Sequence, residues 1–210
     1  MKLLAYDFGA SSGRAVLGNY DGSRLATDVL WRFSNDPVQV GDTLHWDILR
    51  LLHETKQGLY AAQRAGHADL DGIGIDTWGV DFGLLDKRGG LLENPVHYRD
   101  MRTLGRMAEA TSKLSAEAIY AQTGIQFMEI NTLYHLMALA ATRPDVLERA
   151  DALLFTPDLM GFFLTGERVC ERTIASTSQM LNPLSGDWAR DLLGTLAIPT
   201  HMLLPVSEPL

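Results

Sequence analysis

The first third of the chain carries short apolar runs separated by tight polar turns, a pattern that predicts strands. Leu3-Leu4-Ala5-Tyr6 ends at Asp7-Phe8-Gly9, and a second run from Arg14 to Tyr20 stops at Asp21-Gly22, a hairpin signal. A third run, Leu25 to Phe33, follows directly, so three successive strands predict an antiparallel meander. From Asp47 to Arg64 the apolar spacing becomes helical: Ile48, Leu52, Thr55, Leu59 and Ala62 share one face, Asp47 caps the first turn and Gly66 ends the helix. Gly72-Ile-Gly-Ile-Asp76 reads as a buried strand, expected parallel to the first because a helix precedes it. Phe82 to Leu85 gives a fifth strand, closed by the turn Asp86 to Gly90.

Beyond Tyr98 the period is helical over Arg102–Thr111, Ser115–Gln122 and Asn131–Thr142, and Pro144 opens a short helix. Leu153 to Phe155 reads as a strand. Thr156-Pro157 then supplies an N-cap and a first-turn proline for a helix ended by Gly166, and Trp188 to Leu196 is a last helix. The order β-β-β-α-β, followed by more helix and strand, places the chain in the α/β class. A purely parallel doubly wound sheet does not begin with three meandering strands. Ribonuclease H-like domains do, and the actin-like ATPase fold shares the arrangement, so a mixed five-stranded sheet with flanking helices is expected.

Composition narrows the function classes. The 210 residues are 46% hydrophobic and 21% charged, enough apolar material for one ordinary domain with its own core and too much for a disordered chain. A net charge of −8 argues against sequence-independent binding to nucleic acid, which needs a basic face to release counterions. A small anion stays open, because a local cradle of backbone N–H groups binds phosphate on an acidic protein. The single Cys170 cannot form an internal disulfide or build a cysteine zinc site alone, and a buried, inert thiol is expected. The opening apolar run is broken at Asp7, as no export signal would be, and no run approaches the roughly 20 residues of a membrane helix. A soluble, cytoplasmic protein without a membrane partner is expected.

Three segments carry chemistry. In Asp7-Phe-Gly-Ala-Ser-Ser-Gly-Arg14, small residues from 9 to 13 let backbone N–H groups approach a phosphate as a nest does, and Ser11 and Ser12 add hydroxyl donors. Arg14 offers a charged fork to a phosphoryl oxygen, and Asp7, at a strand end, is placed to hold a magnesium ion through water. An ordinary Gly/Ser hairpin is the alternative reading; a Walker loop is excluded by the absent Gly-Lys-Ser/Thr ending. In Gly74-Ile-Asp-Thr-Trp-Gly-Val-Asp-Phe82, Gly79 lets a hydroxylated ligand reach the main chain and Trp78 offers a flat face to sugar C–H groups, against a plain bulge with a core Trp. The third group is His97-Tyr-Arg-Asp100 with Arg102-Thr103, then Gly124-Ile-Gln-Phe127 and Asn131-Thr-Leu-Tyr134. Here Tyr98, Asp100 and Phe127 suit a polyol pocket with one aromatic wall, while Asn131 is read as a helix cap and Tyr134 as core. The remaining histidines show no metal-ligand spacing, and no Ser-His-Asp set appears.

Together these segments resemble the FGGY class of carbohydrate kinases. The first looks like the class's phosphate motif; Ile75 to Phe82, Tyr98-Arg-Asp with Arg102-Thr103, and Gly124-Ile-Gln-Phe with Asn131-Thr-Leu-Tyr are similar to the rhamnulokinases within it. The resemblance implies transfer of the γ-phosphate of ATP to the 1-hydroxyl of L-rhamnulose with Mg2+. It implies ATP-phosphate contacts at Ala10, Ser11, Ser12, Gly13 and Arg14, with Asp7 and Arg14 serving the transfer and Asp7 the metal through water. Gly79, Tyr98 and Phe127 would line the sugar site. The class uses an Asp general base in a His-Asp-Thr-like segment at the start of its second half, and no His-Asp pair occurs here. Residues 1–210 therefore resemble the N-terminal lobe alone, with the nucleotide-binding C-terminal lobe as the missing partner and little turnover without it. An apolar docking face near the C-terminal residues is expected. A kinase for another ketose, such as fuculose or xylulose, and a non-catalytic actin-like sugar-binding module are the alternatives.

Overall fold

The structure, a computed structural model, describes residues Met1 to Pro209. In chain order its main strands are β1 (Lys2–Phe8), β2 (Ser12–Tyr20), β3 (Leu25–Ser34), β4 (Val38–Val40), β5 (Thr43–His45), β6 (Gly72–Asp76), β7 (Phe82–Leu85) and β8 (Ala152–Phe155). The helices are α1 (Ile48–Arg64), α2 (Arg106–Lys113), α3 (Ala116–Thr123), α4 (Thr132–Thr142), α5 (Pro144–Arg149), α6 (Thr156–Thr165), α7 (Arg172–Ala175) and α8 (Arg190–Thr195). Two compact units divide the chain: Met1–Val38 with Trp46–Trp78, and Gln39–His45 with the chain from Gly79 onward. None of the described helices is long and apolar enough to cross a membrane.

The first unit is the expected meander, β1 antiparallel to β2 and β2 to β3, extended by β6 lying parallel to β1. Its strand order, β3-β2-β1-β6, makes a mixed sheet of four strands rather than five. The expected fifth strand, β7, pairs antiparallel with β8 in the second unit instead. Alternation along β1 and β2 buries Leu4, Tyr6, Phe8, Ala15 and Leu17 on one face. Against the expectation of a buried strand, β6 is an edge strand with Ile73 46% exposed, since only β1 pairs with it.

Helix α1 starts where Asp47 accepts a hydrogen bond from the Arg50 amide at 3.1 Å, and it ends before Gly66, whose φ is +86°. Its buried face is Ile48, Leu51, Glu54, Thr55, Gly58 and Ala62, rotated from the predicted one, so Leu52 and Leu59 lie on its flanks. Gly58 sets that rotation. A Cβ on it would sit 2.8 Å from the Tyr6 ring and hydroxyl and 2.9 Å from the Ala15 Cβ, so this helix face must be bare there to reach the sheet. Glu54 is buried because Trp31 Nε1 donates to it at 2.8 Å and Arg50 pairs with it at 2.6 Å.

The second unit packs helices around β7 and β8, with a core running from Phe82 and Leu84 through Leu133, Tyr134 and Leu136 to Phe155, Trp188 and Leu203. The expected helix over Arg102–Thr111 is broken: a single 3-10 turn, Met101–Thr103, is separated from α2 by Gly105, whose φ is +77°. Asn131 and Thr156 stand at helix starts as predicted, but neither side chain caps its helix. Their polar groups are drawn to tertiary partners described below. Near the C-terminus, Leu192, Leu193, Leu196, Ile198, Met202 and Leu203 are all buried. Cys170 is buried and free, and burial pushes its thiol up to about 12.

Candidate phosphate and sugar loops

The first unit holds the candidate phosphate segment, Asp7 to Arg14. The β1–β2 turn is tight: Gly9 N–H donates to the Ser12 carbonyl at 2.8 Å, leaving Ala10, Ser11 and Ser12 exposed at its tip. No residue from Gly9 to Gly13 has a positive φ, so the turn is not the alternating nest that its composition suggests. The small residues are needed for packing instead. A Cβ on Gly13 would lie 2.2 Å from the Phe33 ring, and one on Gly9 would lie 3.0 Å from the Ser12 carbonyl. Asn35, buried and unmarked by any local sequence signal, fastens the turn from just beyond β3: its Nδ2 donates to the Gly9 carbonyl at 2.8 Å and its amide to the Ser11 carbonyl at 3.0 Å.

Register brings the charged residues to this end of the sheet. Asp7 faces Arg14 on β2 and Asp76 on β6, and Arg14 faces Arg32 on β3. Arg14 grips one carboxylate oxygen, Asp7 Oδ2, through Nε at 2.8 Å and Nη2 at 2.7 Å. Arg14 also lines an open depression of about 270 Å³, together with Asp7, Gly9, Ser12, Gly13 and Arg32. Arg14 contacts Oδ2 and not Oδ1 of Asp7, and Asp76 pairs with Asp7 in register, so these two carboxylates are the candidate donors for a magnesium ion held through water; among the described residues no group of three or more such ligands occurs. Arg32 and Asp76 gain their place only through strand register, which the turn motif by itself does not reveal.

The second unit, which takes in the chain from Gly79, holds Gly79 and the other candidate sugar residues, Tyr98 and Phe127. Asp81 N–H donates to the Gly79 carbonyl at 2.9 Å, closing a three-residue turn over Val80, whose φ is +69°. Asp81 is buried, and its Oδ2 accepts from the Tyr98 amide at 3.2 Å, so Asp81 joins two of the predicted sugar residues, Gly79 through its amide and Tyr98 through its carboxylate. Tyr98 is further placed by its neighbours: the His97 ring lies 4.5 Å away, Arg99 Cζ sits 5.1 Å from its centroid, and its carbonyl meets His135 Nε2 at 3.3 Å.

His135 in turn accepts from Arg102 Nε through Nδ1 at 3.0 Å, which fixes the proton on Nε2. Burial pushes His135 down to about 3 and His97 down to about 4, so both are neutral at physiological pH, and burial lowers Arg102 to about 10. Asp100 accepts from the Leu44 amide at 2.7 Å and the Arg102 amide at 3.0 Å, a structural task rather than a free ligand position.

Phe127 packs against the core, and its segment reaches the turn only indirectly, through Asn131 Nδ2 donating to the Gln126 carbonyl at 2.9 Å. A cavity of about 660 Å³ in this unit is lined by His45, Glu93, Asp100, Arg102 and Arg143 among others, and by none of Gly79, Tyr98 or Phe127. Trp78, in the first unit, gives one face to Trp46, with centroids 3.9 Å apart, so it is in part the core residue of the plainer reading.

Residues 2–209 match the model of the N-terminal domain of the FGGY family of carbohydrate kinases. The chain is 40% identical over 206 residues to a rhamnulokinase of Oceanobacillus iheyensis, covering 98% of this chain and 44% of that protein. It is 43% identical over 209 residues to a rhamnulokinase of Yersinia pestis bv. Antiqua, covering 99% and 43%. It thus spans less than half the length of these curated relatives. Among solved structures, a xylulose kinase from Lactobacillus acidophilus superposes with a TM-score of 0.86 at 20% identity, covering 99% of this chain and 42% of the other. A Plasmodium falciparum glycerol kinase solved with ADP gives 0.82 at 14% identity, covering 98% and 42%. These likenesses carry the fold, the actin-like, ribonuclease H-related architecture that the strand order predicts. The chain belongs to the FGGY family of carbohydrate kinases and corresponds to the family's N-terminal domain.

Proposed function

We propose that this chain is the N-terminal lobe of a cytoplasmic rhamnulokinase, which transfers the γ-phosphate of ATP to the 1-hydroxyl of L-rhamnulose, and that it turns over little or nothing alone. The observation that carries this reading is the 40–43% identity to rhamnulokinases along 98–99% of the chain, sugar segments included. The three-residue turn at Gly79, tied to Tyr98 through Asp81, supports a role in presenting backbone groups to a polyol.

In this reading the first unit handles phosphate. Ala10, Ser11, Ser12 and Gly13 offer amides and hydroxyls, and Arg14, oriented by Asp7, directs its remaining donors at phosphoryl oxygens. Phosphoryl transfer depends mainly on positioning and charge neutralisation, so a cationic fork beside a carboxylate is apt. Asp7, through Oδ1 and water, with Asp76 beside it, would hold Mg2+, which when bound neutralises charge on the nucleotide phosphates. The second unit handles sugar at Gly79 and Tyr98, with Phe127 as a candidate aromatic wall. The general base and the adenosine pocket would belong to a C-terminal lobe.

The test is an ATP-coupled assay of a protein that carries this lobe together with a C-terminal lobe, across L-rhamnulose, L-fuculose and D-xylulose. The highest kcat/KM is expected for L-rhamnulose. A preference for either other ketose refutes the substrate assignment, and no transfer to any of them refutes the kinase reading.

A further inference from the structure

Val80 is a β-branched residue held at a φ of +69°, a conformation that strains any residue but glycine. Such a residue persists only where its surroundings over-determine it, and every peptide group around it is indeed committed. Val80 N–H donates to Thr177 Oγ1 at 3.1 Å, and the hydroxyl's own proton goes to the Ile174 carbonyl at 2.8 Å, so Thr177 can only accept from Val80. Thr132 Oγ1 donates to the Val80 carbonyl at 2.6 Å. Thr156 donates to the Asp81 carbonyl twice, through its amide at 3.1 Å and its hydroxyl at 3.2 Å. These threonines come from three separate segments, lying 52, 75 and 97 residues along the chain from their partners.

A second strained residue belongs to the same assembly. Gln179, fully buried at a φ of +61°, accepts from Asn131 Nδ2 at 2.8 Å, which ties the segment of Thr177 to the start of α4, where Thr132 sits. Thr177 also touches the sugar segment directly: a Cβ on Gly79 would meet its Cβ, Cγ2 and Oγ1, each at 3.0 Å. One side chain therefore both packs on Gly79 and orients the next amide.

Resting on the reading of Gly79 as a sugar residue, we propose that Thr177, Thr132 and Thr156 are positioning residues. They clamp the Gly79–Val80–Asp81 backbone in its strained shape and thereby set the affinity for the ketose. Nothing in the local sequence links Thr177 to this turn. The clamp's hydrogen bonds all lie within the second unit, and the clamp acts on sugar binding, with the nucleotide side expected to stay unaltered.

A parent protein that carries this lobe together with a C-terminal lobe is compared with Thr177→Val, which keeps the shape but removes the acceptor, and Thr177→Ser, which keeps the hydroxyl. Steady-state kinetics with L-rhamnulose and MgATP are read alongside amide hydrogen exchange at Val80 and Asp81. Thr177→Val is expected to raise the KM for L-rhamnulose about tenfold with the KM for ATP unchanged, and to speed exchange at Val80; Thr177→Ser is expected to stay within about twofold of the parent. A wild-type sugar KM in Thr177→Val overturns the proposal. If Thr177→Val does not fold, Thr177→Ser decides: a parent-like sugar KM supports the hydroxyl's role, and a raised one overturns it. If the parent does not act on L-rhamnulose, the sugar reading itself falls. Faster exchange in Thr177→Val would then mark the threonines as fold residues only, which also refutes the positioning role.

Discussion

Replacing Arg14 with Gln separates the structural from the functional role of the residue that dominates the phosphate segment. Arg14 makes two contacts to Asp7 Oδ2, at 2.8 and 2.7 Å, but the two side chains are 47% and 45% exposed. An ion pair so open to water and salt contributes under about 1 kcal/mol to stability. Part of even that is offset, because Arg14 stands opposite Arg32 across the β2–β3 pair, where like charges repel by a few tenths of a kcal/mol. Arg14→Gln should therefore leave the urea midpoint almost unmoved. A hydrogen bond from a cation to a phosphoryl oxygen is worth about 1.5–3 kcal/mol, so the KM for MgATP should rise about ten- to hundredfold, with the sugar KM little changed. Thermal and urea unfolding, run beside ATP-varied kinetics, read both halves. A variant that loses more than about 2 kcal/mol of stability while keeping its KM for ATP would refute the reasoning, for Arg14 would then be a fold residue.

Gly58→Ala tests the packing of α1. Helix propensity alone would favour alanine by about 1 kcal/mol. The new methyl, however, would meet Tyr6, whose hydroxyl is pinned at 2.6 Å to the Thr55 carbonyl, so a net loss of about 1–2 kcal/mol in urea unfolding is expected, and a gain would contradict the packing. Asp158 gives a pH signature: burial pushes its carboxyl up to about 7. The folded chain holds a proton that the unfolded chain releases near pH 4, so this group makes stability fall as pH rises from about 4 to 7. Asp158→Asn should abolish that fall, and an unchanged pH profile of unfolding would show that the group is not buried in its acid form.

Local structure was legible in the sequence wherever a residue's own neighbours decide it. The meander, the parallel return of Gly72–Asp76, the Asp47 cap and the stop at Gly66 all follow from period, cap and turn chemistry acting within a few residues. The misreadings arise where tertiary partners outbid local ones. Asn131 and Thr156 have the chemistry of caps, yet Asn131 bonds Gln179 and the Gln126 carbonyl, and Thr156 bonds Asp81. The buried face of α1 turned toward Gly58 because Tyr6 and Ala15, on the sheet, leave no room for a side chain there. Short apolar strands such as Phe82–Leu85 look alike in sequence whichever sheet they join, so the pattern does not show that β7 pairs with β8. Of the site, Asp7, Arg14 and Gly79 are visible in motifs. Arg32 and Asp76 depend on register, and Thr177, 97 residues from Val80, depends on the whole second unit being folded.

The most direct test of the account is ATP-coupled phosphate transfer to L-rhamnulose by the purified 210-residue chain on its own. With candidate phosphate and sugar segments but no His-Asp pair in the sequence, the chain should show no transfer above the uncatalysed background. Sustained turnover by these residues alone would contradict the assignment of the chain as one lobe of a kinase.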